Sequence, residues 1–204
     1  MDYSFNPHKD YIMVSGINGS GKTLLIANFW LNKVDKKNVY VLNSSRENTW
    51  SRIGIPEENI IKPIRFDKKW FDLFLLEFVS SHTNCLLVLD DCDNFSFRES
   101  EILKSVIINA RHMGIGIILS TRSLQSIPRV LYNQAKYCCF SVQRVKYDII
   151  YLGYTIGEVA YLLNNLGKYE FMIYDMNNKQ YSVVKLALNY NYKKPNKGNN
   201  KVKK

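Results

Sequence analysis

The apolar run Tyr11-Ile12-Met13-Val14-Ser15 passes straight into Gly16-Ile17-Asn18-Gly19-Ser20-Gly21-Lys22-Thr23, and this succession constrains the chain more than anything else in it. The octet fits the phosphate-loop pattern G-x-x-x-x-G-K-[ST] and sits where such a loop must, after a strand and before a helix. Backbone N–H groups can converge on a phosphate only if the chain comes close, which is why glycines stand at Gly16, Gly19 and Gly21. A helix over 21–34 then aims its N-terminal dipole at the anion. Lys22 is a point charge long enough to reach the β- and γ-phosphates, and the Thr23 hydroxyl is a ligand for the Mg²⁺ that bridges them. The expected binding set is Gly16, Ile17, Asn18, Gly19, Ser20, Gly21, Lys22, Thr23 and Leu24, with ATP and Mg²⁺ as the cofactors.

A second run, Cys85-Leu86-Leu87-Val88-Leu89-Asp90-Asp91, has the composition of a buried parallel strand with two acids at its carboxyl end. Functional groups of open α/β sheets gather at that edge. Asp90 is expected to hold Mg²⁺ together with Thr23, and Asp91 to polarise an attacking water. The same acids, with Asp93 and Asn94 behind them, also make good turn chemistry. Between the two motifs lie one further strand, over 38–43, and an amphipathic helix over 69–82. Asp90 therefore need not stand on the strand beside the phosphate loop. An inserted strand with a second acid is the arrangement of ATP hydrolases that do mechanical work.

The third run, residues 109–122, reads as a helix end, a glycine turn at Gly114, a buried strand and a polar tip bearing Thr121 and Arg122. With Ala110-Arg111, Gly114-Ile115, Ser120-Thr121-Arg122, Pro128 and, less closely, Asn133-Gln134-Ala135, the chain resembles the FtsK/HerA superfamily of DNA-pumping ATPases. Its short length and the Arg111-His112 pair look most like the genome-packaging NTPases of tailless icosahedral viruses with an internal membrane, those of archaeal turreted viruses in particular. The resemblance covers about residues 9–145. It implies a RecA-like (ASCE) three-layer fold, ATP hydrolysis at subunit interfaces of a homo-oligomeric ring, translocation of double-stranded DNA into a preformed capsid, and capsid or membrane-vertex proteins as partners. It further implies γ-phosphate sensing by Thr121 and Arg122 and an arginine acting on a neighbouring subunit, for which Arg111, Arg122 and Arg129 are the candidates. Two positions depart from the pattern: Asp91 where such ATPases commonly carry Glu, and Arg122 where many carry Gln. Arg111 also reads as a simple helix-end cation.

Alternation of strands with helices predicts a mostly parallel α/β sheet flanked by helices. The expected strands are 11–15, 39–42, 86–89, 115–120 and 137–142, and the expected helices 21–34, 69–82 and 98–112. After 145 come a short helix at 157–166 and two strands, 169–175 and 180–188, joined at Met176-Asn177-Asn178-Lys179 as an antiparallel hairpin. Residues 1–188 thus form one ATPase domain, with a core at 9–145 and an extension at 146–188. Residues 189–204 hold six lysines and no acid, so their removal would take the net charge from +10 to +4. This stretch reads as a disordered basic tail, either merely solvated or able to hold DNA phosphates by counterion release.

Cys85, Cys92, Cys138 and Cys139 have no metal-ligand spacing, and Cys138 and Cys139, as strand neighbours, should face opposite ways. His8, His82 and His112 are scattered. No apolar stretch is long enough to span a bilayer, and no basic-then-apolar leader opens the chain, so the expected setting is the host cytoplasm, with possible association with the virion. The polar stretches 44–52 and 94–99 are candidate DNA-gripping loops. The competing readings are a phage assembly or secretion ATPase, a nucleotide-gated binding module without turnover and, more weakly, a nucleotide kinase.

Overall fold

In the computed structural model, which describes residues 3–45, 49–95, 98, 100–143 and 146–187, eight strands form one sheet: β1 Tyr11–Ser15, β2 Val39–Asn43, β3 Ile60–Ile61, β4 Cys85–Asp90, β5 Ile115–Thr121, β6 Tyr137–Phe140, β7 Glu170–Asp175 and β8 Gln180–Lys185. Their order is β3-β2-β4-β5-β1-β6-β7-β8. The first six are mutually parallel. β7 pairs antiparallel with β6, and β8 antiparallel with β7, so the expected hairpin extends the main sheet. β5 lies between β1 and β4, which places Asp90 two strands from the phosphate loop; the intervening strand is β5, while the strand expected at 38–43 is β2, on the far side of β4.

Every residue of β1, β4 and β5 is buried, as strands covered on both faces must be. Alternate side chains supply two cores. Tyr11, Met13, Leu87, Leu89, Ile117 and Leu119 face one layer of helices, while Ile12, Val14, Leu86, Val88 and Ile118 face the other. Cys138 and Cys139 fall into opposite cores, and all four cysteines are buried free thiols. Burial raises the Cys85 thiol to about 11 and the other three higher still or well above the usual thiol range, which keeps them protonated and unreactive.

Among the described residues six helices flank the sheet: α1 Lys22–Leu25, which runs on as a π-turn over Ile26–Trp30, α2 Thr49–Arg52, α3 Lys68–Ser81, α4 Glu101–Asn109, α5 Arg129–Gln134 and α6 Lys146–Ile156. α1 is shorter than the expected 21–34. Its last turn widens so that Leu31 N–H bonds to Ile26 O, and Trp30 stacks on Tyr137 at 5.3 Å with Phe29, Phe5 and Tyr3 edge-on around it. α3 buries Phe71, Leu75 and Phe78, an i, i+4, i+7 stripe, and opens on Asp67, whose carboxylate accepts from Trp70 N–H. α4 starts three residues later than expected and ends in a 3₁₀ turn, Ala110–Met113, closed by Gly114 in the left-handed region. The segment expected as a helix at 157–166 is a 3₁₀ run, Gly157–Asn165, that follows α6. The basic stretch 189–204 lies outside the described residues.

Ser100 ties α3 to α4. Fully buried, its hydroxyl accepts from Leu103 N–H at 2.9 Å as the α4 cap and donates to Asp72 on α3. Ser100→Ala removes the cap and leaves Asp72 short of a donor, so it should lower unfolding free energy by about 1–2 kcal/mol. Urea denaturation followed by circular dichroism measures this, and an unchanged midpoint would deny the cap its role.

Candidate nucleotide site

The site opens where β1 ends. Gly16 N–H bonds to Thr121 O at 3.1 Å, and the loop then rises over the carboxyl edge of the sheet. A Cβ at Gly16 would stand 2.1 Å from Ser141 Oγ, so a larger residue there would force Ser141 and Ser20 aside. Gly21 precedes α1 with φ +97°, a conformation that favours glycine, and a Cβ there would meet the Tyr169 ring at 2.9 Å. Lys22 is 7% exposed. Its ammonium donates to Gly16 O at 3.0 Å and pairs with Asp91 Oδ1 at 3.2 Å, arching back over the loop it follows.

Asp90 ends β4 beside Ser120 of β5. Ser120 Oγ donates to Asp90 Oδ1 at 2.8 Å and accepts from Asp91 N–H at 3.2 Å. The indole of Trp50, itself buried, donates to Asp90 Oδ2 at 2.9 Å. Ser44 Oγ reaches both Asp90 O and Asp91 O at 3.0 Å. Burial, and secondarily the Asp91 charge, push the Asp90 carboxyl above its usual range; the two hydrogen bonds and Lys22 act against that rise. Asp91 has φ +50°, so the chain turns sharply after β4 and sends this second carboxylate toward Lys22 instead of along the strand.

These groups surround a cavity of about 620 Å³ lined by Asn18, Gly19, Gly21, Lys22, Thr23, Leu24, Ser45, Thr49, Trp50, Asp90, Asp91 and Tyr169. Ile17 and Ser20 line a smaller one of about 220 Å³ behind the loop. Of the residues expected at the site, Asn18, Gly19, Gly21, Lys22, Thr23, Leu24, Asp90 and Asp91 thus line one space. Sequence reading misses Trp50, Ser120 and Tyr169. Trp50 falls in the stretch expected as a DNA-gripping loop, of which Ser45, Thr49 and Trp50 line this cavity; residues 46–48 lie outside the described residues.

Thr121 and Arg122 stand at the same sheet edge but not in the cavity wall. Asp93 accepts from the Thr121 hydroxyl and, at 2.7 Å, from Arg122 N–H, while the Arg122 guanidinium donates to Asn94 Oδ1 at 3.0 Å. The segment 92–95 after β4 therefore pins the strand tip, and Asn94 of the second candidate gripping loop takes part in that; Ser96, Phe97 and Glu99 lie outside the described residues. Arg111 is exposed beside His112, whose Nε2 accepts from Arg111 Nε at 3.3 Å, at the opposite edge of the sheet where β5 begins. Arg129 lies over the rings of Tyr151 and Tyr154 at 5.1 and 4.7 Å. None of these three arginines faces the cavity of its own chain.

Neither a protein-family model nor a curated protein matches the sequence. Solved structures do match. The genome packaging NTPase B204 of Sulfolobus turreted icosahedral virus 2, in complex with AMPPCP, superposes with a TM-score of 0.74 at 19% identity, over 88% of this chain and 98% of that one. B204 of Sulfolobus turreted icosahedral virus, described as a DNA-packaging ATPase, gives 0.73 at 20% identity, over 90% and 100%. The chain has the fold of these packaging NTPases. EccC of Thermomonospora curvata (ATPases 2 and 3) shares the P-loop core at a TM-score of 0.57 and 12% identity, over 88% of this chain and 37% of EccC. The match covers 88–90% of this chain, more than the stretch 9–145 over which the sequence shows a resemblance.

Replacing Trp50 with Phe keeps an aromatic side chain, though a smaller one, and withdraws the donor from a buried carboxylate oxygen. The expected cost is about 1–3 kcal/mol, read as a lower urea midpoint, and pairing it with Asp90→Asn should give less than the sum of the two single effects. Strict additivity would mean that the indole and Asp90 act independently.

Proposed function

We propose that this protein is an Mg²⁺-dependent ATPase that drives double-stranded DNA into a preformed viral capsid. The observation that carries the proposal is Lys22, held between the Gly16 carbonyl and Asp91, above a strand end that presents Asp90. The match in fold to packaging NTPases over nearly the whole of both chains supports the same reading.

Thr23, Asp90 and Asp91 offer hard oxygen donors in a single cavity, and each Asp90 oxygen retains a lone pair beyond the one given to Ser120 or Trp50. The donor set fits Mg²⁺, with Thr23 and Asp90 as its holders; when bound, the ion neutralises charge building on the β- and γ-phosphates. The loop N–H groups and the start of α1 cradle the phosphates. Lys22 binds the γ-phosphate, and its transfer from Asp91 to that phosphate frees the Asp91 carboxylate to orient water and accept its proton. Thr121 and Arg122 relay γ-phosphate loss through Asp93 and Asn94 to the segment after β4.

Completion of the site by Arg111, Arg122 or Arg129 of a neighbour requires a homo-oligomeric ring, whose closure DNA or a capsid vertex promotes. Positive charge, concentrated in residues 189–204, holds DNA phosphates without reading sequence. The setting is the host cytoplasm and the assembling virion, with capsid or membrane-vertex proteins as docking partners. No helix among the described residues is long and apolar enough to cross a membrane.

Steady-state ATP hydrolysis by wild type, Lys22→Ala and Asp91→Asn, with and without double-stranded DNA and across protein concentration, tests the proposal. Turnover should rise with DNA and with protein concentration, and fall by at least about a hundredfold in both variants. ATP binding without turnover under every condition would replace the motor with a nucleotide-gated module.

A further inference from the structure

The cavity has two ends, and only one carries chemistry. In the sheet order, β4 lies two strands to one side of β1 and β7 two strands to the other, so Asp90 and the residue entering β7 flank the phosphate loop by about 10 Å on either side. Asp90, Asp91, Trp50, Ser45 and Thr49 crowd the first end. At the second end the wall consists of Gly21, the first turn of α1 at Thr23 and Leu24, and a single aromatic ring, that of Tyr169. That ring is partly buried and stands against the Gly21 turn, with Leu186 beside it.

The backbone at Tyr169 strengthens the case. Its φ is +63°, in the left-handed region that a bulky side chain rarely enters. Of the four described non-glycine residues with positive φ, two line this cavity: Asp91 at one end and Tyr169 at the other. The turn is held by Leu186 N–H donating to Tyr169 O at 3.0 Å and Glu170 N–H donating to Gly167 O at 3.2 Å. Lys168 lies over the ring at 5.0 Å, a cation at the rim of the same opening. A glycine would adopt this turn without strain. A tyrosine there puts a flat apolar surface at the mouth of the site.

We infer that Tyr169 is the stacking platform for the base of the bound nucleotide. The inference rests on the nucleotide-binding reading of the phosphate loop and deepens it. With the terminal phosphates drawn to Lys22, Asp90 and Asp91, the ribose and base leave the loop toward Thr23, Leu24 and Tyr169, the opposite flank. Stacking is indifferent to base identity because every base has a π-face, so Tyr169 contributes affinity for a nucleoside triphosphate as a class and not for adenine in particular. The β7–β8 extension thereby acquires a role at the site in addition to covering the sheet edge.

Isothermal titration of the full chain with ATP and with inorganic tripolyphosphate, each with Mg²⁺, separates the base from the phosphates. Tyr169→Ala should weaken ATP about tenfold and leave tripolyphosphate unchanged, whereas Tyr169→Phe should leave both as in wild type. If the Ala variant loses both ligands equally, the ring merely props the Gly21 turn and the platform is overturned; unchanged ATP affinity overturns it as well. Wild type that binds neither ATP nor tripolyphosphate would instead bring down the nucleotide-site reading, and the platform with it.

Discussion

A carboxylate taken out of water has to be met by donors, and the requirement at Asp90 organises everything around it. β4 is buried on both faces, so its terminal acid has no solvent to fall back on. Ser120 comes from the neighbouring strand, Trp50 from the segment after β2, and Ser44 caps the two carbonyls beyond. Two separate stretches of chain, the segment after β2 and the tip of β5, are thereby locked to one residue. Because the donors differ in origin, movement of Asp90 would be felt in the segment after β2 and at the tip of β5 together. The hydrolysis proposed for this site would need that kind of coupling, since its energy must leave through the backbone that surrounds the site.

The legible part of the sequence is the part governed by short-range rules. The phosphate loop, the strand ending in Asp90-Asp91 and the glycine turn into β5 each show a buried apolar run stopped by polar or glycine residues, and they stand in the structure within a residue or two of the expected bounds. Their assembly round one cavity follows from parallel strands, whose carboxyl ends share an edge. What stayed hidden depended on long-range pairing. β3 has only two residues and is a strand only because β2 lies beside it. α6 is rich in tyrosine and isoleucine, residues that favour strands as readily as helices, so no clean period marks it. Nothing local announces that Trp50 reaches an acid forty residues away. Thr121 and Arg122 stand at the edge their strand implies, but their engagement with Asp93 depends on the 3₁₀ turn Cys92–Phe95, which composition alone does not declare.

The sheet order explains why the site is divided as it is. Insertion of β5 sets Asp90 two strands from β1, and the sharp turn at Asp91 brings the second carboxylate back to Lys22. On the other flank the sheet would end at β6 with an open edge; β7 and β8 cover it, and the turn into β7 lands beside Gly21. One strand added within the sheet and two at its side thus set the width of a single cavity. Neither flank touches the loop through its own strand.

Strain at both flanks points the same way. Asp91 and Tyr169 each hold a conformation that costs a non-glycine residue on the order of 1–3 kcal/mol, and each does so at the last residue before or after a strand whose pairing over-determines it. A chain under no demand at these positions would place glycine there, as it does at Gly21 and Gly114. The side chains retained are the two that the cavity uses: a carboxylate turned toward Lys22 and a ring turned toward the Gly21 turn. Parallel strands supply the chemical end and antiparallel strands the stacking end, so loss of the hairpin would weaken retention of the nucleotide while leaving the acids, and the donors that hold them, in place.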